Sequence, residues 1–404
     1  MSVVVLLFFS LFGCSSCYEG NSPARRAKCG EKVSPQIAIR EFPIQIGTIG
    51  GLEDTVMEKH IFVALSASLP LWHPPSVPSL VHELKLWGKN CHFTREMVGG
   101  EGRDGQLMLK TLLSDKLCSE HTVVLGGGKG GVYLVDSPYG IHPIQSGSYD
   151  AVEYRAETHF GKLTMLMALS DVPISTPATT SSGRGGTIAD ILHDTIMNFD
   201  WDKELEFVGC SLTLWLPPEK SWTNQFDDRF TFDELMDRLL TIPLGKGTCG
   251  GCHVPYTVVT LLRVNEQCPI LTYKTQRSAK MWLRNVVCLL EKNQLSDGSW
   301  SRDWGNTGQQ DTLYGDDLLD KITIVGHHLE WQAVAPVDCR LSRECIKRAV
   351  IAVNRQIEQL PVPRHRSFKT ILPCSHVAKA MCMLYGCDPF TFWLSQHENL
   401  NLFQ

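Results

Sequence analysis

Residues 278–300 read SAKMWLRNVVCLLEKNQLSDGSW. Apolar residues recur at three- and four-residue intervals from Ala279 to Leu290, which is the spacing of one helix face. The run closes on Gln294, Gly298 and Trp300. Each of these has a physical use there. A glutamine amide at a helix end can bond the terminus of a following helix. Gly298 allows a tight turn that a residue with a Cβ resists. Trp300 offers a broad apolar face to pack over the glutamine. The predicted local structure is a helix, a tight turn and another helix.

Working outward, the same helical period returns along the chain. It is present in EDTVMEKHIFVALSASL and SLVHELKLWG near the start, and in HFGKLTMLMAL, IADILHDTIMNF and KELEFVGCSLTLWL in the middle. Thr187 stands where an N-cap belongs, and Pro217-Pro218 stops the helix before it. Later runs include FTFDELMDRLL, VPYTVVTLLRV, DLLDKITIVGHHLEWQAV, SRECIKRAVIAVNRQIEQL and CSHVAKAMCML. Glycine and proline loops separate the runs, a spacing expected of stacked helical pairs. The expected fold class is all-α. One exception is expected: Gly126 to Gly131 separates two β-branched runs, HTVVL and VYLV, and predicts a β-hairpin insertion near residues 121–135. That glycine run lacks the spacing and the Lys-Ser/Thr ending of a phosphate-binding loop.

The chain has 404 residues, 43% hydrophobic and 20% charged, ordinary values for a globular protein. A net charge of −5 speaks against nucleic acid as a partner, since phosphate neutralisation needs a basic face. Val3 to Gly13 is an apolar run shorter than the ~20 residues of a spanning helix, with the length of a signal-peptide core. It lacks a preceding Lys or Arg, and Leu11-Phe12-Gly13-Cys14 resembles a bacterial lipobox. The expectation is an exported protein of the periplasm or cell envelope, with a signal over residues 1–17 and lipid anchoring at Cys14. Residues 18–52 are expected to be a solvated linker, and residues 53–404 one domain. Fifteen cysteines, an odd number, select no disulfide pairing.

The Gln294–Trp300 segment resembles a QW motif of squalene and hopene cyclases, of the α/α-toroid group shared with protein prenyltransferase β-subunits. Over roughly residues 75–404 the chain also resembles uncharacterised exported toroid proteins of planctomycete bacteria. The matching pieces are HFGKLTMLMAL, ELEF, LPPEKSWTNQF, GTCGGCHVPY, DGSW, GHHLEW and SHVAKA with GCDPFTFW. The resemblance implies an α/α toroid with a central cavity. It does not bring a reaction with it. The Asp-x-Asp-Asp acid of protonating cyclases is matched by none of Asp200/Asp202, Asp227/Asp228 or Asp316/Asp317. The Asp-x-Cys of a prenyltransferase zinc site is not matched by the adjacent Asp338-Cys339.

Cys249-Gly-Gly-Cys252-His253 carries the densest chemistry, and three readings stand side by side. As Cys-x-x-Cys-His it has the spacing of c-type haem attachment. As a metal site, most naturally zinc, Cys249 or Cys252 with His253 would join His327 or His328, and Glu330 or Asp317 would be the general base. His327 and Glu330 are three apart and share a helix face. As structure, the histidines cap carbonyls and the cysteines fill gaps. His159 and Lys162 are expected to be a polar spot on a helix face, and Ser375-His376 a helix N-cap. The tryptophans Trp222, Trp282, Trp300, Trp304, Trp331 and Trp393 are expected either in the core or around a cavity. Three functions follow: a ligand-binding toroid that is a metal-assisted enzyme on a polyisoprenoid or carbohydrate; a non-catalytic envelope scaffold; or a haem electron carrier.

Overall fold

The computed structural model describes residues 38–69, 76–91, 107–121, 132–144, 159–305, 318–360 and 368–401. The signal segment with Cys14, and Asp317, lie outside them. Among the described residues the fold is mostly helical, with fourteen α-helices and three small antiparallel sheets of two strands each. The helices are α1 (Glu58–Ala67), α2 (Val77–Trp87), α3 (Met108–Leu112), α4 (Asp115–His121), α5 (Lys162–Leu169), α6 (Ile188–Met197) and α7 (Leu205–Trp215). They continue as α8 (Phe232–Leu239), α9 (His253–Gln267), α10 (Tyr273–Asn293), α11 (Leu318–Val334), α12 (Arg343–Glu358), α13 (Phe368–Tyr385) and α14 (Pro389–Asn401).

Six of these helices touch in succession. α2 packs on α5, α5 on α7, α7 on α9, α9 on α11 and α11 on α13, and α13 returns to α2. A second set packs outside this circuit: α8 on α7 and α9, α10 on α8 and α9, and α12 on α11 and α13. Composition follows position. α7 in the circuit is buried along its whole length, whereas α10 buries one stripe and turns Lys274, Arg277 and Arg284 outward. A helix that is apolar all round must be covered all round.

The segment that closes α10 behaves as its residue types require, with one difference. Gln294 Nε2 donates to Gly298 O at 2.9 Å and to Cys345 O at 2.8 Å. Its helix partner is therefore α12, the second helix on, because α10 and α12 follow one another outside the circuit. Trp300 is fully buried and its indole donates to Leu290 O at 2.9 Å. Gly298 has φ +97°, and a Cβ there would lie 2.5 Å from Arg348 O, a backbone atom that cannot step aside. Gly298→Ala should therefore destabilise the protein by about 2–3 kcal/mol from left-handed strain and the clash together, readable as a lower urea midpoint.

Of the expected early hairpin, residues 122–131 with the glycine run lie outside the described residues, and His121 ends helix α4 instead of opening a strand. VYLV pairs forward: β1 (Leu134–Ser137) lies antiparallel to β2 (Gly140–Pro143), with Ser137 opposite Gly140. The turn is Pro138-Tyr139, a shorter loop than the glycine run would make. Two further hairpins were not anticipated. β3 (Pro177–Thr179) with β4 (Gly185–Thr187) leads into α6, and β5 (Ser221–Thr223) with β6 (Arg229–Thr231) leads into α8. Each ends on a threonine that caps its helix, Thr187 with Asp190 and Thr231 with Glu234. The same three-residue strands and the same capping box recur one repeat apart.

Residues 38–52 are not a solvated linker. Arg40 N and Ile44 N donate to Trp215 O and Leu214 O of α7. Gln45 Nε2 donates to Ala168 O of α5, Gln267 Nε2 of α9 donates to Gln45 O, and Ile49 N donates to Ala333 O of α11. Ile44 and Leu52 are buried. The segment is stitched across the C-terminal ends of four circuit helices.

Candidate metal centre and chamber

The loop before α9 is built to aim one side chain. In Gly247-Thr-Cys-Gly-Gly251, Gly247, Cys249, Gly250 and Gly251 all have positive φ. Cys249, at φ 51° and ψ 44°, holds the left-handed conformation without being glycine, which costs roughly 1–2 kcal/mol. Glycines on both sides supply the remaining turns. A Cβ on Gly251 would sit 2.4 Å from Lys246 O, so the loop is as tight as glycine allows. The result points Cys249 toward His253, the first residue of α9, and His327 of α11.

One donor atom each from Cys249, His253 and His327 lies within 4.8 Å of the other two. His327 is 3% exposed. Its Nδ1 lies 3.3 Å from Glu330 Oε2 and donates to it. Its Nε2 is buried with no hydrogen bond of ordinary geometry, while the ring interacts with the Cys249 thiol. A carboxylate on one nitrogen fixes the tautomer and presents the lone pair of the other, the arrangement that supports metal-ligating histidines.

Glu330, the candidate base, is not among the residues that line the chamber described below. Lys85 Nζ of α2 sits 2.7 Å from Oε1 and 2.9 Å from Oε2, and His376 Nδ1 of α13 is 3.1 Å from Oε2. Burial pushes the Glu330 carboxyl up, but Lys85, His376 and His327 outweigh it and hold the group well below its ordinary value. Its place beside Lys85 makes it an orienting residue for His327. His327, Glu330 and His376 also bring three donors within 4.8 Å, but the Lys85 ammonium already stands in that cluster as its cation.

Cys249 and His253 are in the states that ligation needs, whereas His327 would give up a proton to a metal. Burial, with the charges of His327 and Lys85, depresses His253 well below the usual imidazole value, so it is neutral. Burial pushes the Cys249 thiol up, yet the neighbouring His327 outweighs that and its pKa lies below the ordinary one. His327 is correspondingly raised against the effect of burial, by Cys249 and Glu330.

Cys249 and His253 line a chamber of about 160 Å³. The wall is largely apolar, with Val81, Met165, Leu166, Leu169 and Leu372, and His82, Lys85, His159, Lys162 and His376 also reach it. His159 stacks on Phe207 with centroids 4.4 Å apart, and its Nδ1 is 2.9 Å from Glu204 Oε2. Glu204 in turn accepts from Thr248 Oγ1 at 3.1 Å, which ties the Cys249 loop to His159.

Cys252 takes no part. Its thiol lies 3.7 Å from His328 Nε2, buried beneath the loop, where His328 packs edge-on against Trp300 and Trp304. Adjacent on α11, His327 and His328 point to different neighbours. The two thiols of Cys-x-x-Cys-His thus face different surroundings, and the chamber is too small for a tetrapyrrole, so haem attachment finds no support in this placement. The candidate base Asp317 lies outside the described residues. Trp222, Trp300, Trp304 and Trp331 are core, Trp282 and Trp393 are half-buried against it, and none of the six lines the chamber.

Lys85, His82 and His376 were missed as site residues. His376 lies inside α13 and not at its N-cap, since Pro373 is accommodated within the helix. A signal was present. His82-x-x-Lys85, His159-x-x-Lys162 and His376-x-x-Lys379 share one spacing, as do His253-x-x-Tyr256 and His327-x-x-Glu330. All five pairs lie on, or for His159 just before, a circuit helix. Compared with known proteins, the chain matches no family model, no curated protein and no solved structure.

Proposed function

We propose that this protein is a zinc-dependent enzyme of α/α-toroid architecture, exported to the cell envelope, with Cys249, His253 and His327 as the ligands and the chamber as the substrate site. The observation that carries this reading is the convergence of the Cys249, His253 and His327 donor atoms within 4.8 Å of one another, with Glu330 on the other nitrogen of His327. Three protein ligands beside a cavity are the pattern of a catalytic zinc, which keeps one position open. When bound, zinc supplies a Lewis acid and a water of lowered pKa. The chain's own residues do the rest. Glu330 fixes His327, Lys85 keeps Glu330 ionised, and the apolar wall excludes bulk water and bears on the substrate. The toroid reading is supported by the closed circuit of helix contacts and by the repeated hairpin–helix unit. Of the two substrate classes expected, polyisoprenoid and carbohydrate, the apolar wall speaks against the second. Among the described residues no helix is long and apolar enough to cross a membrane.

Elemental analysis of the purified protein tests this. About one zinc per chain is expected, lost in Cys249→Ser and in His253→Ala and retained in Cys252→Ser. Zinc that survives both of the first two changes would sink the assignment.

One observation favours a second reading. Cys249, His327 and Glu330 also stand in the order of a thiol nucleophile, its base and the base's orienting carboxylate, and the thiol is depressed. Under that reading the protein purifies without zinc, and iodoacetamide labels Cys249 rapidly at neutral pH.

A further inference from the structure

The chamber constrains what can occupy it more tightly than the metal centre does. Its volume, about 160 Å³ among the described residues, is that of a cavity holding one benzene-sized body. A long isoprenoid chain does not enter whole. The α5 wall of the chamber is also polarised. Lys162 and His159 stand at the Cys249 end, Met165 and Leu166 follow one turn along α5, and Leu169 follows two turns along. On that wall the apolar groups recede from the metal, while Lys85, paired to Glu330, reaches the chamber from α2 and His376 from α13.

Charge points the same way. A zinc ion with one thiolate ligand keeps a net positive charge, while Lys85 and Glu330 neutralise one another. α9, a helix of fifteen residues, opens its N-terminus on the chamber through His253, adding positive potential at that end. The 3% exposed His327 beside it, with Nδ1 on Glu330 and a buried Nε2 close to the Cys249 and His253 donor atoms, marks the same spot as a ligand position independently of the helix. In a largely apolar enclosure such a centre is completed by an anion, because an unbalanced charge there is expensive.

We infer that the substrate is a small amphipathic anion. A carboxylate or phosphate head takes the open position beside Cys249 and His253, near Lys162, and a compact apolar body of about six to eight carbons lies against Met165, Leu166, Leu169 and Leu372. The inference rests on the zinc reading and adds to it both a size and a charge.

Calorimetric titration of the protein, with its zinc content measured first, tests it. The probes are hexanoate, hexyl phosphate and hexanol, which share one chain and differ in the head. At least one anion should bind tenfold or more tightly than hexanol, and which one does so names the head. Leu169→Trp, which fills the apolar end, should weaken that anion at least tenfold while zinc stays at one per chain. Hexanol binding as well as both anions, or Leu169→Trp binding unchanged, overturns the inference and leaves the metal centre standing. A protein that takes up no zinc overturns the metal reading, and this inference falls with it.

Discussion

Lys85→Met should cost about 3–5 kcal/mol of folding stability, the range for removing one partner of a buried ion pair. Glu330 is 2% exposed and Lys85 contacts both of its oxygens, so methionine leaves a carboxylate in the core with only two histidines beside it. The protein has a partial remedy. His376 is neutral in the wild type because burial and the charges of His327 and Lys85 push it well below the ordinary imidazole value. Without Lys85 its affinity for a proton rises. A group whose folded pKa is raised stabilises at low pH and loses that contribution as pH rises through it. The deficit of Lys85→Met should thus be smaller at pH 5.5 than at pH 8. Lys85→Met with Glu330→Gln should recover most of the loss, since both charges are then gone. Urea unfolding of the three variants at the two pH values measures all of this. A deficit under ~1 kcal/mol in Lys85→Met at pH 8 would mean that Glu330 is not held as a buried anion.

The second large effect concerns alkaline pH. Glu83 lies on the same helix as Lys85 and is buried, with its Oε2 unpartnered. Burial pushes its carboxyl up to about 8, against a value of 4.5 outside the fold, while Trp87 opposes the rise weakly. The folded protein holds this proton more tightly than the unfolded chain does. The contribution is complete below pH 4.5 and drains away as pH climbs through about 8, for a total on the order of 5 kcal/mol. Glu206, raised by burial to about 7, adds a smaller decline of the same sign. Glu83→Gln keeps the shape and removes the proton. It should be more stable than wild type by a few kcal/mol at pH 9 and gain nothing at pH 4.5. Parallel stability–pH curves for the two proteins would refute the assignment.

Both effects arise on α2, whose sequence, SLVHELKLWG, gives an ordinary amphipathic pattern. Nothing local distinguishes a lysine that will meet Glu330, 245 residues away, from one that meets water. The elements that read well carry their chemistry within a few residues. Gly298 needs its φ because of its own turn, Thr187 caps the helix it opens, and Glu330 shares a face with His327. The meeting of Cys249, His253 and His327 was also foreseeable as a candidate, because few other ligand types are available in the centre of the chain. Their separation from Cys252 was not, because the left-handed conformations of residues 249–251 decide which thiol turns toward the chamber. The β1–β2 pairing was not foreseen for a related reason. VYLV has strand character whichever neighbour it pairs with, and the two-residue Pro138-Tyr139 turn brings it onto residues 140–143. The mostly helical class was legible from periodicity, whereas the circuit of six helices depends on packing between distant segments.

The stitching of residues 38–52 across the C-terminal ends of α5, α7, α9 and α11 has a mechanical meaning. One short strap ties together helices drawn from four separate stretches of the chain, so a shift of any one of these helix ends is passed to the other three, and their relative positions are set from a segment that belongs to none of them.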